Sequence, residues 1–191
     1  MLVSQVRPPF ISRAIQAVQS KAGFDRRDSE WHHAAVWVGN DLLCEAQGGG
    51  VRTRSIYDYC AGTHRLRFRR SPLLSDLESA LLALEAALKI RYGYNRRAIV
   101  QLLLQANTGW GRVTGDKPRP LSPRATICSQ LYADAYGLIT RRTLDNQAVL
   151  GVTPAHLSAN KSLEDIDMQW YAIDPDQTAA GRPTLDVDMA Q

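Results

Sequence analysis

Trp31-His32-His33-Ala34-Ala35-Val36-Trp37-Val38-Gly39-Asn40-Asp41-Leu42-Leu43-Cys44-Glu45-Ala46 reads as two apolar strands around a turn at Gly39-Asn40-Asp41, and it decides the first half of the fold. Taken as a three-residue turn, it pairs Val38 with Leu42 and Ala35 with Glu45. His33 then lies diagonal to Glu45 on one sheet face, within side-chain reach. A two-residue turn would reverse that parity. Glu45 is the unusual residue, because Leu43, Cys44 and Ala46 around it are apolar and glutamate is rarely buried without a partner. His32 falls on the opposite face if the strand includes it, and a buried strand histidine is more often a satisfied core residue than a reactive one.

Working outward, Leu2-Val3 is the end of a first strand, and Ile11, Ile15 and Val18 mark a helix that Gly23 ends. The polar run Asp25 to Glu30 reads as a loop. After Gly48-Gly49-Gly50, a strand is expected near Val51 to Ile56. Arg65, Arg67 and Arg69 alternate with Leu66 and Phe68 as a strand with one wet face. The first half is therefore mainly antiparallel sheet.

Ser75-Asp76-Leu77-Glu78 has the form of a capping box, and Leu77, Ala80, Leu81, Leu84, Ala87 and Leu88 follow as an apolar helical stripe. Asn95 can cap a second helix carrying Ile99, Leu102, Leu103 and Ala106. The stretch from Thr108 to Ala125 is a Gly- and Pro-rich loop, either a functional rim or an insertion. A third helix opens around Thr126 to Cys128, buries Leu131 and Ala135, and meets a stop signal at Gly137. Thr153-Pro154 reads as an N-cap followed by proline at the first helical position. Ile166, Met168 and Trp170 alternate as a late strand, and residues 174–191 form a polar tail behind a single domain of residues 1–173.

Cys128 in Ile127-Cys128-Ser129-Gln130-Leu131 opens an amphipathic helix, where the dipole and unpaired backbone N–H groups favour a thiolate and then an oxyanion. A nucleophile of this kind needs a base in reach, itself held by a third group. His33 and Glu45 supply that pair if the hairpin parity holds. Cys44 and Cys60 have no evident activating group and pack as small hydrophobes. His64 after a Gly-Thr turn and His156 on a short helix are expected at the surface.

Composition narrows the classes. With 45% hydrophobic and 22% charged residues, the chain is neither disordered nor fibrous. The net charge of +4 is spread over scattered arginine pairs, so charge implies no specific nucleic-acid partner. Three cysteines form no disulfide framework or zinc spacing, and a reducing compartment is the default. No apolar run has the length of a signal peptide or membrane span, so the expected location is cytoplasmic by default, with non-classical export left open.

The same residues carry a resemblance. His33-Ala34-Ala35-Val36-Trp37-Val38-Gly39, then Cys44-Glu45-Ala46 with Gly49-Gly50-Val51 after it, then Cys128-Ser129-Gln130-Leu131-Tyr132, resemble the circularly permuted papain-like cysteine hydrolases. These include YiiX-like bacterial proteins, related to NlpC-type cell-wall peptidases and to lecithin–retinol acyltransferase. Tyr92-Gly93-Tyr94 and Val152 to Leu157 also resemble family segments, so the likeness covers most of residues 31–158. Where the family begins with a Gly-Asp strand, this sequence matches only that strand's tail, in Met1 to Ser4.

The resemblance implies an α+β permuted papain-like (NlpC-type) fold: an antiparallel, partly closed sheet against a nucleophile-bearing helix and additional helices. It implies Cys128 as nucleophile, His33 as base and Glu45 as the residue orienting the imidazole, with no cofactor and no metal. The reaction implied is acyl transfer through a thioester, on a peptide amide such as a peptidoglycan fragment. A lipid hydrolase or acyltransferase acting on a lipid-like acyl substrate is the alternative, and a catalytically silent binding module is the other. The oligomeric state is left open.

Overall fold

A computed structural model describes residues 1–94, 125–144 and 151–166. The expected helix after Asn95, the loop from Thr108 to residue 124, Met168, Trp170 and the tail lie outside the described residues.

The chain starts with β1 (Leu2–Gln5), followed by α1 (Phe10–Lys21) and a short α2 (Arg26–Ser29). Then come β2 (His33–Gly39), β3 (Leu42–Gln47) and β4 (Gly50–Ser55), and a 3₁₀ turn at Ile56–Tyr59. β5 (His64–Arg67), β6 (Arg69–Arg70) and α3 (Asp76–Leu88) lead to β7 (Gly93–Tyr94). The remaining described elements are β8 (Ala125–Thr126), α4 (Cys128–Thr140), α5 (Pro154–Ala159) and β9 (Glu164–Asp165).

Five strands form one antiparallel sheet in the order β4-β3-β2-β1-β5. The architecture is α+β. No ladder among the described residues links β4 back to β5, so the partial closure expected from the sequence is not seen there. β7 pairs in parallel with β8, which brings Tyr94 beside Thr126 just before α4 begins.

Strand alternation sorts the side chains. Ala34, Val36, Cys44 and Ala46 point into a core with Leu82 and Ala86 of α3 and Leu131, Ala135 and Tyr136 of α4. Ala35 and Leu43 pack with Val3 and Tyr59 in a separate cluster, on the face that His33 and Glu45 share by the same alternation.

The hairpin turn differs from its sequence reading. Gly39, not Val38, sits opposite Leu42, leaving a two-residue turn, while Trp37 sits opposite Leu43. Val38 is a bulge between those pairs, and one extra residue cancels the parity change a shorter turn would bring. Positive φ at Gly39 (109°) and Asn40 (49°) makes the sharp reversal possible. Ala35 therefore does face Glu45.

Other local expectations are corrected. Asp25 accepts from the backbone N–H of Asp28 and caps α2, so the polar run is a helical turn. The capping box of α3 is present, but that helix buries Leu82 and Ala86, leaving Leu77, Leu81, Leu84 and Leu88 exposed. Its sequence is apolar on several sides, so periodicity alone could not choose the face. α4 runs through Gly137 to Thr140 and ends where Arg141 turns left-handed (φ 58°).

The expected wet arginine strand breaks into β5 and β6, which belong to different sheets. Arg67 and Arg69 both reach Asp165, and Arg69 also donates to the carbonyls of Leu157, Ser158 and Leu163. These arginines fasten α5 and β9 to the sheet.

Candidate functional site

β2 and β3 fix two side chains of the site. His33 Nε2 lies 2.9 Å from Glu45 Oε2, and Glu45 is wholly buried. Such a carboxylate stays charged only if its lone pairs are met. Oε2 also accepts from the Tyr59 hydroxyl, and Oε1 lies 3.4 Å from Arg52 Nε and 3.8 Å from Arg54 Nη1. Burial works against the charge, but His33, Tyr59 and Arg54 outweigh it and hold the Glu45 carboxyl below its usual pKa.

α4 brings the third side chain. Ile127 is extended and has no side-chain cap for the helix, so the helix opens with its first N–H groups uncapped at Cys128. Cys128 is buried and interacts with the His33 ring. With Nε2 directed at Glu45, the nitrogen left for the sulfur is Nδ1. Burial would raise the Cys128 pKa, but His33 and the backbone N–H groups of Ala34 and Ser129 outweigh it and depress the thiol. Burial likewise disfavours the His33 cation, yet Cys128 and Glu45 raise its pKa to about 9. Both shifts favour a thiolate beside an imidazolium.

The adjacent histidine is its opposite. His32 precedes β2, its Nε2 accepts from the Gln5 backbone N–H at 3.2 Å, and burial followed by repulsion from His33 lowers its pKa to about 4. Cys44 is buried with its sulfur donating to the Ala86 carbonyl, and burial pushes it up to about 11. Burial also raises Cys60. All three cysteines are free of disulfides. Neither His64 nor His156 is the freely exposed residue expected. His64 is half-buried with its ring edge on Tyr59, and the His156 ring closes the capping box of α5 with Thr153.

The structure thus brings Cys128, His33 and Glu45 together. Tyr59, Arg52, Arg54 and Gln47 around the carboxylate were not foreseen. The only available signal was the β4 alternation that puts Arg52 and Arg54 on one face, and it becomes readable only once Glu45 is known to pair with Arg52.

A separate cavity of about 350 Å³ lies beyond the other end of β1, between Val36-Trp37 and Phe68-Arg69, and neither His33 nor Cys128 lines it. Among the described residues, no group of three or more His, Cys, Asp or Glu side chains could hold a metal ion, and no helix is long and apolar enough to cross a membrane. Compared with known proteins, the chain matches no family model and no curated protein.

Proposed function

We propose that this protein is a cysteine hydrolase that cleaves an amide through a thioester. The observation that carries the reading is His33 held by Glu45 at 2.9 Å and coupled electrostatically to the helix-borne Cys128. The chain order His33, Glu45, Cys128, with a helix-borne cysteine against an antiparallel sheet, supports a permuted papain-like arrangement.

In the proposed reaction the Cys128 thiolate attacks the amide carbonyl carbon, and the carbonyl π electrons move onto oxygen. The backbone N–H of Cys128, at the positive end of α4, stabilises that oxyanion. Collapse of the intermediate expels the amine, which takes the proton from His33. Neutral His33 then draws a proton from water as it attacks the thioester, and the acid product leaves Cys128 as thiolate. Glu45 keeps the imidazole in the tautomer with Nε2–H and stabilises its cation. A peptide is the leading substrate class.

The test is alkylation at pH about 6, followed by peptide mass spectrometry. Cys128 should react with iodoacetamide at least about tenfold faster than Cys44 or Cys60, since both of those thiols are raised. A peptidyl acyloxymethyl ketone should label Cys128 in the wild type and fail in His33→Ala. Equal or slower labelling of Cys128 would sink the assignment.

A further inference from the structure

The Glu45 carboxylate is shared between two competing sets of donors. Arg52 and Arg54 approach Oε1 from β4, while His33 and Tyr59 hold Oε2. Charged guanidinium donors bind carboxylates strongly, so a Glu45 side chain free to turn could give both oxygens to the arginines and abandon His33.

Tyr59 is built to prevent that. It is only 4% exposed, with the Arg54 guanidinium 5.3 Å over its ring and His64 edge-on at 5.2 Å. Gln47 Oε1 accepts from Arg52 Nη2 at 2.7 Å, which leaves Gln47 Nε2 to donate to Tyr59 Oη at 3.1 Å. Having accepted there, the phenol gives its own proton to Glu45 Oε2. We infer that Tyr59 is a positioning residue, whose hydroxyl keeps Glu45 Oε2 on His33 Nε2 and so keeps His33 Nδ1 on Cys128. This rests on the hydrolase reading above. Burial and the Glu45 carboxylate hold the phenol well above its usual pKa, so it remains a donor at any working pH.

Other roles for Tyr59 predict other signs. If the hydroxyl merely shared the carboxylate with His33, removing it would strengthen the carboxylate's hold and raise the His33 pKa. If the ring merely filled space, Tyr59→Phe would leave His33 unchanged. Positioning predicts a fall. The groups facing this network are His33 from β2 with His32 just before it, Arg52 and Arg54 from β4, His64 from β5 and Cys128 from α4, with Asp58 paired to Arg54.

The experiment compares full-length wild type with Tyr59→Phe, following the His33 ring by NMR titration and Cys128 alkylation against pH, with thermal melting as the check on folding. The expected result is a His33 midpoint lower by about one pH unit, a tenfold change in its protonation equilibrium, and an acid limb of alkylation moved upward. In a Glu45→Gln background, Tyr59→Phe should add no further shift. A His33 midpoint that stays or rises, or an undiminished shift in that background, overturns the inference. Should Tyr59→Phe fail to fold, Gln47→Ala is the second variant. Gln47 Nε2 also lies 3.5 Å from His33 Nε2, a donor facing a donor, so losing that contact alone would raise the His33 midpoint; a fall supports positioning, and no shift or a rise overturns it. Slow Cys128 labelling in the wild type overturns the hydrolase reading and this inference with it. Fast wild-type labelling with an unmoved His33 overturns this inference alone.

Discussion

His33 and Glu45 meet at 2.9 Å with the carboxylate sealed from water, and donors line both of its oxygens. Glu45→Gln preserves shape but must turn an NH₂ group either toward the arginines or toward Tyr59 and His33. Each choice sets donor against donor. Turnover should fall by roughly 10²–10³, less than the loss seen for a carboxylate-to-amide change in a serine triad, because a thiolate needs less activation. Stability should fall by about 2–4 kcal/mol, the cost of a mismatched buried group. Kinetics and denaturant melts measure both, and full turnover in a folded Glu45→Gln protein would reduce the carboxylate to a packing role.

The site also shapes stability against pH. The folded pKa of His32, about 4, lies below its unfolded value of 6.5, so the unfolded chain takes that proton first and stability falls as pH drops from about 6.5 to 4. His33, raised to about 9, contributes stability that is complete below 6.5 and is lost as pH rises through 9. Cys128, depressed from 9.0, has the opposite sign: its contribution is complete above 9.0 and is lost as pH falls through its folded value. The two contributions therefore oppose each other below pH 9. Thermal melts should show a decline as pH drops from about 6.5 to 4, smaller in His32→Gln. An equal decline in His32→Gln would mean that the acid loss does not come from His32.

Gly50 begins β4 with φ at +110°, and a Cβ there would stand 2.6 Å from the Tyr92 carbonyl oxygen. Because the obstacle is backbone, it cannot swing aside. Gly50→Ala should destabilise the fold by about 2–4 kcal/mol, from strain at positive φ together with the clash. Chemical denaturation measures this, and a loss below about 0.5 kcal/mol would show that the approach of β4 to Tyr92 relaxes freely.

Arg69 and Asp165 form an ion pair whose two halves should respond unequally. The Asp165 side chain is 56% exposed, so Asp165→Asn should cost less than about 1 kcal/mol. The Arg69 side chain is only 10% exposed and satisfies carbonyls of Leu157, Ser158 and Leu163. Arg69→Met strands those acceptors and should cost about 3 kcal/mol or more. Equal losses in urea titrations would mean that the ion pair, rather than the carbonyl contacts, fastens α5.

The sequence made the hairpin and both catalytic candidates within it readable, because alternation along a strand has a fixed period and Glu45 among apolar neighbours demanded a partner. Cys128 was readable from its place at a helix start. Tyr59 was not, because a 3₁₀ turn has no long periodicity to show which way its residues point. The buried face of α3 was misread for a different reason: Ala80-Leu81-Leu82-Ala83-Leu84 is apolar throughout, and only the docking partners choose among its faces. Arg67 and Arg69 look like solvent residues in any local window, since the carbonyls and Asp165 that hold them come from the far end of the chain.

The bulge at Val38 leaves the hairpin tip one residue longer than its pairing requires. One deletion between Val38 and Asp41 can be absorbed by drawing in that spare residue, with Trp37 still opposite Leu43 and His33 still on the face of Glu45. Natural variation at this tip can therefore include a loss of one residue without disturbing the chemistry at the strand's other end. A further shortening has no slack to draw on and must move the register itself.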